Sequence, residues 1–389
     1  MKTSTFVYPW DVNGDPDAAR RIAELGVQQV TLAAAYHSTR ALTPRHPRHR
    51  IVTAEHASTL YPIDEQRWYG RELKPYEAGS WAPGDAYAEA AEALADAGLD
   101  VHTWVVLAHN SRMGADHPDT SVVNAYGDRY PWAPCIAQPA TRAYLVDLAA
   151  EAATRPGARG TELESLGWYG LAHLHAHDKT GGVGLGEAGQ YLMSLCFCPT
   201  CREGYAEHGL DPVELAVTVR AALGPVWRGK ATDDGWPTVE KLLGAETAAA
   251  TRAYRDATAR SLQEAAVTAV RAAVPADCKA FQVLLHADPV SYHCGANAGV
   301  DPAHILSVAD GVVVPCTGGA GLVKPFAAQG RGVVAANFTV VRGMGGSPAT
   351  LADDVRAARE LGATELRLYH AGLASDGDLE VVRGALASV

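Results

Sequence analysis

Cys196-Phe197-Cys198-Pro199-Thr200-Cys201 brings three thiols into six residues. A C-x-C-x2-C turn suits a divalent metal held by thiolates, and zinc in a closed structural site takes four such ligands. Cys135, in Pro134-Cys135-Ile136, is the natural fourth. Upstream of the cluster, Glu162-Leu163-Glu164-Ser165-Leu166 carries two carboxylates at alternating positions. In a strand both fall on one face. If Leu163 turns toward covering helices, both point inward, where a carboxylate must be paired or shift its pKa, as a general acid requires. Glu164 is therefore the leading catalytic candidate and Glu162 a second. Asp288, and after it Asp11, are the next carboxylates placed to act with them. His173, His175 and His177 alternate in the run that follows. If extended they converge on a metal; as loop residues they bond substrate hydroxyls or backbone.

The elements that must position these groups alternate between short β-branched or aromatic runs and Ala-rich helical segments. The strands read as Phe6 to Trp10, Val27 to Ala35, Val101 to Leu107, Thr161 to Leu166, Lys279 to Leu285, Gly311 to Val314, Gly332 to Phe338 and Glu365 to Tyr369. Capped helix starts read at Asp15-Pro16 and Asp301-Pro302, and further helices begin at Asp85 and near Ser347-Pro348. Long insertions follow the second strand (37–84) and the fourth (167–201). Several strands are apolar on both faces, as in parallel sheets covered by helices. Eight such units predict a (β/α)8 TIM barrel formed by residues 1–389 as a single domain. An open doubly wound sheet would want a Gly-rich phosphate turn after the first strand, and Asn13-Gly14-Asp15 is not one.

In such a barrel chemistry collects at the C-terminal strand ends. Here those ends carry Trp10 and Asp11, His37, His109, Trp168, His286, Asn337, and Tyr369 with His370, together with the loop residues His173 and His175. Flat aromatic faces mixed with hydrogen-bonding groups match a sugar ring, which has apolar C–H faces and a hydroxyl rim. No G-x-S-x-G elbow or P-loop competes. Hydrophobic residues make up 48% and charged residues 20%, which is a globular composition. The net charge of −11, with no basic stripe, argues against nucleic acid. The basic run Arg45 to Arg50 reads as a solvated loop. No apolar segment suits a membrane span or a signal peptide, so a cytoplasmic location is expected, with the seven cysteines reduced. The expected partner is a small carbohydrate, and a homo-oligomeric state is open.

The layout resembles the barrel of glycoside hydrolase family 42 β-galactosidases. Some of these hold zinc with one Cys after strand 3 and a C-x-C-x2-C group after strand 4, as Cys135, Cys196, Cys198 and Cys201 would. The resemblance implies that Glu164, at the end of strand 4, is the acid/base. The stretch 162–201, with its E-L-E-S-L-G, His-rich run and C-F-C-x-x-C, is similar to that of the hypothetical glycosyl hydrolases. Family 42 enzymes have Asn-Glu where Leu163-Glu164 stands, and a nucleophile at the end of strand 7, where this chain has Asn337. An inverting reaction with Glu164 as acid and Asp288 or Asp11 as base fits these differences. The alternatives are a metal-dependent sugar isomerase, epimerase or hydrolase working through His and carboxylates, and a carbohydrate-binding barrel without turnover.

Overall fold

A computed structural model describes residues 1–174, 178–276, 278 and 280–389. Eight parallel strands close on themselves in chain order: β1 (Lys2–Val7), β2 (Gln29–Tyr36), β3 (Asp100–Val106), β4 (Ala158–Glu164), β5 (Gln282–Asp288), β6 (Gly311–Pro315), β7 (Val333–Thr339) and β8 (Glu365–Tyr369). The helices α1 (Ala18–Ala23), α2 (Ala86–Asp96), α3 (Pro139–Ala153), α4 (Ala245–Ala273), α5 (Pro302–Val308), α6 (Val323–Ala327), α7 (Leu351–Glu360) and α8 (Asp376–Leu386) follow the strands in turn. The chain therefore forms a TIM barrel. Of the expected capped starts Asp301 forms, whereas α1 begins at Ala18 behind Asp17 with no side-chain cap. Asp85 and Asp301 accept the N–H groups of Ala88 and His304 at 2.9 and 2.8 Å. Among the described residues no helix is long and apolar enough to cross a membrane.

Three segments enlarge the mouth. After β2, Thr39–Leu42 pairs antiparallel with Ile51–Ala54, and Ser58–Thr59 returns onto the end of β2. After β4 come the helices Gly186–Met193, Pro199–Glu207, Pro212–Trp227 and Trp236–Leu243. A third addition, unexpected from the sequence, follows β3 as the hairpin Ser121–Val123 with Arg129–Pro134.

Strand boundaries differ from expectation where the barrel interior is polar. β1 lies earlier than Phe6 to Trp10, because Pro9 lacks an N–H and opens a 3-10 turn, while Ser4 and Thr5 serve the strand. Ser4 Oγ meets Thr31 Oγ1 at 3.0 Å, and Thr5 Oγ1 donates to the Leu368 carbonyl. β4 also starts earlier and stops at Glu164, since Ser165 has φ 58° and turns the chain. β5 runs three residues further than expected, to Asp288, and Lys279 lies outside the described residues. The 45–50 segment is solvated only in part: Pro47, Arg48 and Arg50 are exposed, but its start is tied down. Arg45 donates to the carbonyls of Ala371 and Ala374, and His46 is buried.

Alternation sorts the core into two parts. Leu163, Leu285, Val312 and Leu366 pack outward beneath the helices in one large apolar cluster. Inside the barrel, Phe6, Tyr8, Tyr36 and Trp104 form an aromatic half, and Leu284, Val313 and Ala335 an aliphatic one. A polar group joins them. Glu162 Oε1 accepts Arg367 Nε at 2.7 Å and Thr31 Oγ1 at 3.1 Å, and Arg367 also donates to Glu365 at 2.9 Å. Glu162 and Arg367 are fully buried. Burial pushes the Glu162 carboxyl up, but the Arg367 guanidinium and the rings of His102 and His286 more than offset this and hold it well below the usual range. Gly160 leaves the space that this network needs, because a Cβ there would lie 2.6 Å from the His102 ring.

Removing one partner leaves a buried charge alone. Arg367→Met is expected to cost about 3–5 kcal/mol in chemical denaturation, and adding Glu162→Leu to recover most of it. The depressed Glu162 pKa has a signed consequence. The contribution of the pair is complete above the unfolded carboxyl pKa of ~4.3 and lost as pH falls through the lower folded value, a loss that the double variant should not show.

Candidate active site

Glu164 ends β4 one step above Glu162 on the same inward face. Its Oε2 accepts the Trp104 indole N–H at 2.7 Å and lies 3.8 Å from His286 Nδ1. His286 Nε2 lies 3.6 Å from Glu162, so this ring stands between the two carboxylates. Glu164 keeps 12% of its side chain exposed, against none for Glu162. Burial raises the Glu164 pKa, aided by the charge on Glu162 and opposed by His286 and the Trp104 N–H. The two carboxylates are therefore shifted in opposite directions. Glu162 was expected as a catalytic partner, but a carboxylate kept ionised by Arg367 and sealed from solvent has neither a proton to give nor a surface for substrate.

The wall around Glu164 is aromatic. Phe6 meets Trp104 edge-on at 4.8 Å and Tyr369 at 5.6 Å. The Tyr8 hydroxyl donates to Tyr36 at 3.1 Å, and Tyr369 hydrogen-bonds with both. Tyr36 reaches this wall because β2 has a bulge between Ala33 and Ala35. His37 stacks on Tyr36 at 4.2 Å, and His109 stacks on Tyr169 at 4.3 Å. His173, exposed, lies beyond Tyr169. Asn337 faces inward from β7, its Oδ1 buried with no protein partner among the described residues. Directly after Glu164, the non-glycine Ser165 sits in the left-handed region, a local strain of the kind that collects at functional sites.

Other expected groups lie elsewhere. Trp168 donates to the Arg255 carbonyl at 3.0 Å under the Arg255 guanidinium, against α4 rather than in the mouth. His370 is fully buried and packs on Tyr8 at 4.4 Å, so a substrate contact is blocked. Asp11 accepts the Tyr8 N–H at 2.8 Å and faces a cavity of about 370 Å³ between α1 and α8, outside the barrel. Burial pushes its carboxyl up to about 7, against the Tyr8 N–H and Arg45. Trp10 leaves the mouth for a groove on the β2 insertion. His175 and His177 lie outside the described residues.

Asp288 ends β5 and opens a second acidic group. Its Oδ2 lies 3.0 Å from His293 Nδ1, and its Oδ1 accepts the Val290 N–H at 2.8 Å. His293 Nε2 lies 3.6 Å from Glu187, which also accepts the Tyr292 hydroxyl at 3.0 Å. Burial disfavours charge on His293, but Asp288 and Glu187 on either side prevail and raise its pKa. These residues line a cavity of about 360 Å³ that includes His173 and Asn297. Trp104, Arg367 and His293 were missed. The first two could have been found by extending the inward alternation from Val106 and Tyr369, whereas His293 acts from a loop whose path alternation does not give.

The four cysteines meet as the spacing predicted. Cys135, Cys196, Cys198 and Cys201 are buried, with their sulfurs within 4.8 Å of one another. Cys135 Sγ lies 3.7 Å from Cys198 and 3.5 Å from Cys201. Those separations exceed a disulfide and approach the roughly 3.8 Å edge of a tetrahedron with ~2.3 Å metal–sulfur bonds. Cys196 Sγ accepts N–H groups from Val123 and Cys198 at 3.4 and 3.5 Å, which suits a thiolate. The set could hold a metal ion between the β3 hairpin and the helix Pro199–Glu207. Among the described residues it is the one group of His, Cys, Asp or Glu atoms found close enough to share an ion.

No family model matches the sequence, and no curated protein matches it. Solved structures do match the fold. An α-L-fucosidase isoenzyme from Paenibacillus thiaminolyticus superposes with a TM-score of 0.60 at 12% identity, over 100% of this chain and 49% of its own. The catalytic domain of a β-amylase from Paenibacillus polymyxa gives 0.58 at 11%, over 100% and 98%. A family 42 β-galactosidase from G. stearothermophilus gives 0.55 at 11%, over 100% and 56%. The chain thus spans about half the length of the fucosidase and the galactosidase. At these identities the likeness is one of fold, a closed barrel of eight parallel strands.

Metal analysis of the purified chain is expected to give one divalent ion per molecule. Cys135→Ser should lose it, with a lower Tm that added metal no longer restores.

Proposed function

We propose that the chain is a glycoside hydrolase with Glu164 as its general acid. One observation carries this reading: Glu164 is nearly buried, which raises its pKa, yet it reaches the barrel mouth inside a wall of aromatic rings and hydrogen-bonding groups. A sugar lies with its C–H face on such rings and its hydroxyls toward His109, Asn337 and Tyr369. Glu164 would protonate the departing glycosidic oxygen, with Trp104 fixing the carboxyl and His286 steadying the carboxylate left behind. Asp288, held by His293, is the proposed base that takes a proton from the attacking water. This pairing gives inversion. Glycoside hydrolases among the structural neighbours support the class, and the substrate is proposed only as a small glycoside. The Cys site is proposed to hold a structural zinc. It would clamp the loops after β3 and β4, and the chemistry of the mouth rests on the side chains.

The test is hydrolysis of a panel of aryl and alkyl glycosides. Glu164→Gln should lower kcat about 10²–10⁴-fold, more for alkyl than for aryl leaving groups, because aryl groups need less protonation. The working form of Glu164 is protonated. Wild-type kcat should therefore fall as pH rises through a pKa above the ordinary ~4.3, and the variant should lose that limb. Asp288→Asn should lower kcat for aryl and alkyl glycosides alike. No hydrolysis across the panel by the wild type, or unaltered turnover in Glu164→Gln, would overturn the assignment.

A further inference from the structure

The β2 insertion builds a groove of about 550 Å³ between itself and the start of α2, lined by Trp10, Asn13, Arg48, His49, Thr53 and Trp81. It lies on the β1–β2 side of the barrel, half the circumference from Asp288 on β5. Trp10 stacks on Tyr8 at 4.6 Å, so the groove begins where the aromatic wall of the mouth ends. Trp81 lies over Gly79, where a Cβ would fall 2.5 Å from its ring. The ring is thereby set flat on backbone, and His56 braces it edge-on at 5.0 Å. His49 is fixed by stacking on buried His46 at 3.6 Å. The walls are thus preset rather than loose.

The polar atoms of this groove are incompletely used. Trp10 Nε1, Trp81 Nε1 and Asn13 Oδ1 are buried with no hydrogen-bond partner among the described residues. Asn13 is anchored through its other amide atom, Nδ2, which donates to the Ala86 carbonyl at 2.8 Å. Buried polar groups normally have partners, and three unpaired ones in a single groove call for a ligand that supplies them. Two indole donors and an amide acceptor among aromatic side chains fit a molecule with apolar faces and hydroxyls that both accept and donate. One cation, Arg48, faces one anion, Glu89, across the lining, a balance that does not select a phosphate or a basic peptide.

We propose that this groove, lined by Trp10 and Trp81, is a second saccharide-binding site, separate from the mouth. It rests on the glycosidase reading only for the expectation that the saccharide belongs to a longer substrate or product of the same enzyme.

The test uses the full chain carrying Glu164→Gln, titrated separately with lactose, cellobiose, maltose and xylobiose. Tryptophan fluorescence and saturation-transfer NMR report binding. At least one disaccharide should bind, and Trp81→Ala should weaken it roughly tenfold or more. Thr53→Arg alters an exposed strand position and should block the groove without touching the core. Each variant, placed in the otherwise wild-type chain, should leave hydrolysis of small aryl glycosides unchanged. If none of the four sugars binds, or if neither variant removes or weakens any component of the binding, the groove is not a saccharide site. If binding is lost in both while the wild type hydrolyses nothing, the groove stands and the glycosidase reading fails.

Discussion

Glu162 and Arg367 meet at 2.7 Å inside the closed sheet, where neither can reach water, and the barrel is assembled around their charge balance. A carboxylate there without its guanidinium would take a proton or draw in solvent. With it, Glu162 stays ionised and has capacity left for Thr31 and for the facing rings of His102 and His286. His286 is thereby held from below, and its other nitrogen faces Glu164. The position of the proposed acid thus traces through one histidine to a buried ion pair contributed by β4 and β8.

Two glutamates two residues apart acquire opposite character from this arrangement. Glu162 lies beside a cation and loses its proton. Glu164, a layer higher, is buried among indole and phenol rings with the charge of Glu162 below it, and these outweigh His286 and raise its pKa. Neither effect belongs to glutamate as a residue type. Each follows from the depth at which alternation places the side chain in the barrel.

The loops over the mouth are held by different means. The four-cysteine group ties the β3 hairpin to the helices after β4, with Phe197 N–H on the Val123 carbonyl at 2.6 Å beside it. On the far side Arg45 binds the β2 insertion to carbonyls at the start of the β8 loop. Long additions after β2, β3 and β4 can then present Trp81 and the His109–Tyr169 pair as fixed surfaces, which lowers the ordering cost of binding.

By itself the sequence determined the barrel, because alternating apolar runs and capped Ala-rich helices admit few closures. It also determined the cysteine group, because a C-x-C-x2-C turn fixes three sulfurs locally. The inward pair Glu162 and Glu164 was legible from Leu163 alone. Tertiary structure decided which of the two can act, since that depends on Arg367, some two hundred residues away in the chain. It decided that Trp168, His370 and Asp11 leave the mouth, because residues just past a strand end turn inward or outward with the path of their loops. It also brought His293 to Asp288 and set Trp10 and Trp81 in the lining of one groove. Those pairings join separate segments through packing, and no local period in the chain encodes them.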